Sequence, residues 1–229
     1  MTIYLYGLVL GRNAHLVPTH ITGVGATVLR VVACEDGGLG ALVSTLDRAP
    51  ERASLDDVRA HDHALQAVVH HGSTAAAVRF GQTFATDDDV RRHVAERGER
   101  IARLLDQYEG CVEMRLLMAL PQDGTNPPVA SAIDDAMGPG RAYLERLKTA
   151  GEGASERLKG IGLHDALGPV VRAERVEELP TARGVAFSHL IQRSDEPAYR
   201  EAVTALPALA TAQVVGPLAF YSFAEPVSD

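Results

Sequence analysis

The sequence predicts an α+β protein made of two α+β domains, the C-terminal one a ferredoxin-like variant, joined through long helices. Three observations carry this expectation. Strand-like apolar runs alternate with amphipathic stretches at helical spacing in both halves of the chain. The second half reads β, long α, β, α, β, β, which suits a ferredoxin-like sandwich, whereas the first half opens with three strands before its helices. The length of 229 residues exceeds the usual single-domain size of roughly 100–150. No internal repeat breaks the pattern, so the boundary is placed after the second long helix, giving domains 1–108 and 109–229.

The elements follow in order. Residues 2–11 form a first strand, with Ile3, Leu5 and Val9 among its apolar positions. Strands at about 27–34 and 39–46 flank Glu35-Asp36-Gly37-Gly38, a hairpin signal because glycine accepts the positive φ of a tight turn. Ser54, with Asp57 three residues on, opens a helix to about residue 71, whose apolar face holds Val58, Leu65, Val68 and Val69. A short apolar segment, 75–80, follows. Thr86 begins a second helix with Asp87, Asp88 and Asp89 in its first turn, and Val90, Val94, Ile101, Leu105 and Tyr108 form its stripe.

Beyond it, "CVEMRLLMAL" at 111–120 is strand-like, and "PQDGTNPP" has turn composition. A long helical tract covers about 140–167, interrupted by glycines. Residues 184–193 form a strand and 196–206 a short helix with an early proline. "TAQVVG" and "LAFYSF" end the chain as two short strands.

Composition narrows the function. Apolar residues make up 46%, and without tryptophan the core must be mostly Leu, Val and Ala. A net charge of −8 and the lack of any Lys/Arg block argue against nucleic acid as a partner. No apolar run approaches the roughly 20 residues that span a bilayer, and the N-terminus reads as a strand without a basic leader. Membrane and export are therefore not expected. Cys34 and Cys111 read as reduced core thiols of a cytoplasmic protein.

Chemistry is harder to find. His61, His63, His70 and His71 share a helix, but no pair has the one-turn spacing of a helical zinc site, and His61 reads as a packing histidine. The aspartates 87–89 lack the alternating ligands of a calcium loop and read as a helix cap. There is no nucleophile elbow, no P-loop and no dinucleotide fingerprint after a strand. No catalytic residue, metal ligand or cofactor is assigned.

Taken together, several segments resemble the gas vesicle protein F/L family (GvpF/GvpL). They are "YLYGLV" at 4–9, "GLGALVSTL" at 38–46, His61 ahead of "AVRFGQTF" at 77–84, "GPGRAYLERLK" at 138–148, "VAFSHLIQR" at 185–193 and the ending "VVGPLAFYSFAE". Their order runs over essentially the whole chain. The resemblance implies a minor, non-enzymatic protein of gas vesicle formation that binds the hydrophobic main shell protein, with other accessory proteins as further partners. It also implies two α+β domains, one ferredoxin-like, and localisation with gas vesicles.

Two groups of residues are candidates for function. Arg79, Phe80, Gly81 and Phe84 are expected to form a structural corner, the rings packing inward and Arg79 hydrogen-bonding carboxylates or carbonyls that fix it. Tyr4, Tyr6, Phe220, Tyr221 and Phe223 are candidate partner contacts, the last three lying within residues 220–223. The rival readings are a ferredoxin-like small-molecule enzyme (a monooxygenase or haem-linked protein) using His189 or His164, and a ligand-sensing module.

Overall fold

The computed structural model describes residues 1–34, 38–49, 54–119, 163–179, 184–209 and 211–224. Strand β1 (Thr2–Leu10) sits inside the first sheet, paired with β3 (Leu39–Leu46) on one side and with β4 (Ala75–Ala77) and β5 (Thr83–Phe84) on the other. Strand β2 (Arg30–Cys34) lies outside β3, and every pairing is antiparallel.

Both faces of β1 are covered. Tyr4, Tyr6 and Val9 join a core cluster with Ala64, Leu65, Val68 and Val69 of helix α1 (Leu55–His70). Ile3, Leu5, Leu8 and Leu10 join a second cluster with Val90, Val94, Ile101 and Leu105 of helix α2 (Asp87–Gln107). The change of parity between residues 6 and 8 follows from a register shift between Leu5 and Gly7. One extra residue exchanges the two faces of a strand, because side chains alternate with a period of two.

Both helices begin where the sequence places them. Ser54 and Asp57 form a reciprocal capping box on α1, and Thr86 and Asp89 form another on α2. The aspartates of α2 have further work. Asp87 receives two hydrogen bonds from Arg30 of β2, at 2.7 and 2.9 Å, which hold its carboxyl below the usual range. On α1, the expected stripe is displaced: Val58 is 41% exposed, and His61 occupies an inward position.

The second sheet runs in the order β7 (Val171–Leu179), β8 (Gly184–Gln192), β6 (Cys111–Ala119) and β9 (Gln213–Leu218), all antiparallel. That is the strand order of a ferredoxin-like sheet. Val112, Met114, Leu116, Val185 and Phe187 share a cluster with helices α3 (Leu163–Leu167) and α4 (Glu196–Ala205) through Leu163, Leu167, Tyr199 and Val203. The same cluster contains Tyr4 and Leu65, so one apolar core passes from sheet to sheet.

Several expectations change. β7 has no signal in the sequence pattern, because "VRAERVEEL" is charged and its strand form depends on pairing with β8. "LAFYSF" is not a strand beyond Leu218; only Phe220 bridges, in parallel, to Ala76. Of the tract at 140–167 only Leu163–Leu167 lies among the described residues, where it is helical. The turn at 35–37 and the loop at 121–128 lie outside the described residues; the flanking Gly38 has φ +62°.

Gly7 generates a test of the β1 arrangement. A Cβ there would stand 2.5 Å from the Ala76 carbonyl oxygen and 2.9 Å from Leu65 Cδ2. Gly7→Ala should therefore destabilise the protein by about 2 kcal/mol through overpacking, read as a lower urea midpoint with an unchanged slope.

Candidate partner-binding surface

The corner between β4 and α2 is fixed mainly by backbone. Val78 N–H donates to the Tyr6 carbonyl at 3.1 Å, Leu5 N–H to the Gln82 carbonyl at 3.0 Å, and Gly81, with φ +90°, donates its N–H to the Tyr4 hydroxyl at 3.1 Å. A positive φ favours glycine, which has no Cβ to clash. Phe80 is half-buried, its ring 6.0 Å from Tyr4 and 5.6 Å from His61; Phe84 is half-buried against His93 at 5.0 Å. Arg79 departs from expectation: it is exposed and, among the described residues, has no hydrogen-bond or ion-pair partner. Val78 takes the inward place, and a cation on the opposite side stays in water.

The tyrosines of β1 are not surface contacts either. Tyr4 and Tyr6 are wholly buried, because α1 covers their face of the sheet. Tyr4 OH accepts from Gly81 N–H and lies 3.0 Å from His61 Nδ1, within hydrogen-bond distance. Tyr6 OH accepts from Val24 N–H at 2.9 Å and pairs with the Ser44 hydroxyl at 2.9 Å. Burial raises both phenols and pushes the His61 imidazole down to about 4. The hydroxyls of Tyr4, Tyr6 and Ser44 and the Nδ1 of His61 are all partnered, the satisfied arrangement that buried polar groups require.

The terminal segment behaves differently from an open aromatic patch. Phe220 is wholly buried, donating its N–H to the Ala75 carbonyl at 2.8 Å and accepting from Ala77 N–H at 3.1 Å. Phe223 is 9% exposed, and the Tyr221 hydroxyl donates to Asp62 of α1 at 2.7 Å. Of the five expected contacts only Tyr221 keeps an open part, because the segment folds back over both sheets.

What holds it there is Glu113 on β6, wholly buried. Its Oε2 accepts from the N–H groups of Tyr221 and Ser222, both at 2.9 Å, and its Oε1 from the Ser222 hydroxyl at 2.7 Å. Burial pushes this carboxyl up, and the three donors offset part of that. Glu113, Asp62 and Ser222 escaped the sequence reading. The available signal was a lone glutamate inside the apolar run "CVEMRLL", although nothing local says what it grips.

His189, the rival catalytic candidate, is also enclosed. Its Nδ1 meets Tyr199 OH at 2.7 Å and its Nε2 meets Glu174 at 3.0 Å; burial lowers its pKa, against the opposing pull of Glu174. The side chain of His164 lies outside the described residues.

The sheet face that carries Glu113 also holds an open groove. Arg115 of β6 pairs across to Ser188 of β8, which pairs across to Arg175 of β7, so the three side chains form one row on one face. They line a cavity of about 540 Å³ with Val176, Glu177, Tyr221 and Ser222. This face is the candidate partner-binding surface.

Two outcomes test the interior of this arrangement. Glu113→Ala leaves two N–H groups and a hydroxyl without their acceptor, and should cost about 3 kcal/mol while hydrogen exchange at residues 220–222 accelerates. Between pH 6.5 and about 4, an unfolded histidine takes up a proton that His61 refuses. Stability should accordingly fall as the pH drops through that window, by about 3 kcal/mol from this residue, and His61→Gln should flatten the fall in urea midpoints.

Comparison with known proteins places the fold. The profile of the family described as "Gas vesicle synthesis protein GvpL/GvpF" matches residues 2–225. Gas vesicle protein F1 of Halobacterium salinarum is 27% identical over 127 residues, 55% of this chain; the match spans 58% of that protein. The crystal structure of GvpF from Anabaena sp. PCC7120 superposes with a TM-score of 0.73 at 16% identity, covering 98% of this chain and 96% of that one. GvpF from Microcystis aeruginosa gives 0.72 at 17% identity, covering 98% and 99%. These two likenesses speak for the fold, and the profile match over nearly the full length speaks for descent: the chain belongs to the GvpL/GvpF family of gas vesicle synthesis proteins.

Proposed function

We propose that this protein is a non-enzymatic accessory factor of gas vesicle formation that binds the hydrophobic main shell protein and assists its assembly. The observation that carries this reading is family membership across residues 2–225. The fold shared with two GvpF crystal structures supports it. So does the fate of the buried titratable groups, since His61, Glu113 and His189 are each tied to structural partners.

The physical logic is protective. A subunit that will bury strands and apolar helices against its own copies is an aggregation hazard while free. A partner with net charge −8 stays dispersed while covering an exposed edge or apolar face, then releases it at the growing shell. Strand addition is one mode open to this fold. In the second sheet β7 is an outer strand of nine residues, and main-chain bonding there needs no particular sequence in the incoming strand. The two sheets act as two domains, 1–108 and 109–229, in the cytoplasm beside the growing vesicle, with other accessory proteins as further partners. Among the described residues no helix is long and apolar enough to cross a membrane.

Co-expression with the main shell protein, followed by tagged pull-down and size exclusion, tests the proposal. The expected result is a soluble complex with shell protein that is absent without this chain. Equal aggregation of the shell protein in both preparations would count against direct binding and move the search to other accessory proteins.

A further inference from the structure

We propose that the Arg115–Ser188–Arg175 row is a carboxylate-recognition site that takes an acidic side chain from a protein partner. Three observations lead there. The first is geometry: the arginines lie on strands separated by one strand, hence about 10 Å apart at the backbone, within reach of two extended guanidinium groups converging on one anion.

The second is an unmet donor. Arg115 gives one nitrogen, Nη2, to Glu177 Oε2 at 2.7 Å, while its Nε is buried and, among the described residues, has no acceptor. A buried N–H without an acceptor is costly, and a ligand oxygen would remove that cost. Arg175 is oriented in advance by the Ser222 carbonyl, to which Nη1 donates, and by Phe223, whose ring centre lies 5.9 Å from its guanidinium carbon. Such fixing of both arms reduces the ordering that binding would require.

The third observation selects the ligand. Glu177 already occupies one side of Arg115 and the buried Glu113 behind the row is taken up by Tyr221 and Ser222, so two cations and one anion line the cavity and its balance suits a single negative charge better than a phosphate dianion. The half-buried Tyr221 supplies an aromatic wall beside the charged row. A carboxylate carried next to an apolar residue fits this lining. On a chain of net charge −8, the row is a local exception that gives an acidic segment one place to dock.

The full-length protein with 15N-labelled arginine provides the test, through the Nε–Hε resonances of Arg115 and Arg175. The probes are a blocked Leu-Glu-Leu tripeptide, its Leu-Gln-Leu counterpart and inorganic phosphate, at constant ionic strength. The expected result is a saturable shift at Arg115 with the glutamate peptide and at least tenfold weaker binding of the glutamine peptide. Arg115→Gln should abolish the response at Arg175, and Arg175→Lys should weaken binding several-fold without lowering the unfolding midpoint. Glu177→Gln should tighten binding, because it removes the internal competitor. The proposal fails if neither resonance shifts saturably, if both peptides bind equally, if phosphate binds more tightly than the peptide, or if Glu177→Gln weakens the interaction.

Discussion

Strand β1 must bury side chains on both of its faces, and much of the fold is arranged around that requirement. A strand with one wet face needs one cover; this one carries Tyr4, Tyr6 and Val9 toward α1 and Ile3, Leu5, Leu8 and Leu10 toward α2. The shift at Gly7 is what lets residues on either side of it keep apolar partners when the parity changes. It also brings the backbone of β4 so close that a side chain at residue 7 would collide with it. The two tyrosines then need hydrogen-bond partners inside the core, and His61, Ser44, Val24 and Gly81 supply them.

The second organising interaction crosses between the sheets. Glu113 lies in β6, yet it anchors a segment whose Phe220 is bonded to β4 of the other sheet and whose Tyr221 reaches α1. A buried carboxylate is unfavourable unless donors surround it, and three converge on this one. The junction is strengthened by Thr74, which accepts from Gly110 N–H and donates to the Cys111 carbonyl, and by Arg193 on the Ser73 carbonyl. The aromatic residues at 220–223 therefore act as a clasp between the sheets and leave the adjoining sheet face open.

That division of labour bears on how an assembly factor could work. A sheet face framed by a clasp keeps its shape, so under the proposed role the arginine row would not have to be organised anew at each encounter. The charged residues of β7 blunt its outer edge against casual pairing while leaving its backbone able to accept a chosen strand. Selective attraction combined with resistance to self-association is what a soluble escort of an aggregation-prone subunit requires.

Much of the local architecture was legible in the sequence. Ser54–Asp57 and Thr86–Asp89 marked both helix starts, the apolar runs of β1, β3, β6 and β8 marked strands, and the family resemblance rested on segments spread along the chain. These signals are local, since caps and periodicity act within a few residues. The site was legible only in part. The aromatic run at 220–223 stood out, but whether an aromatic residue faces a partner or a core depends on what packs over it. Likewise, nothing near Arg79 says that Tyr4 will fix its corner, and nothing in "VRAERVEEL" says that β8 will recruit it as a strand. The sequence by itself determined the family, the element types and most of their boundaries. Only the tertiary structure decided which polar groups meet: Glu113 with Ser222, and Ser188 set in register between Arg115 and Arg175, because those pairings join residues far apart along the chain.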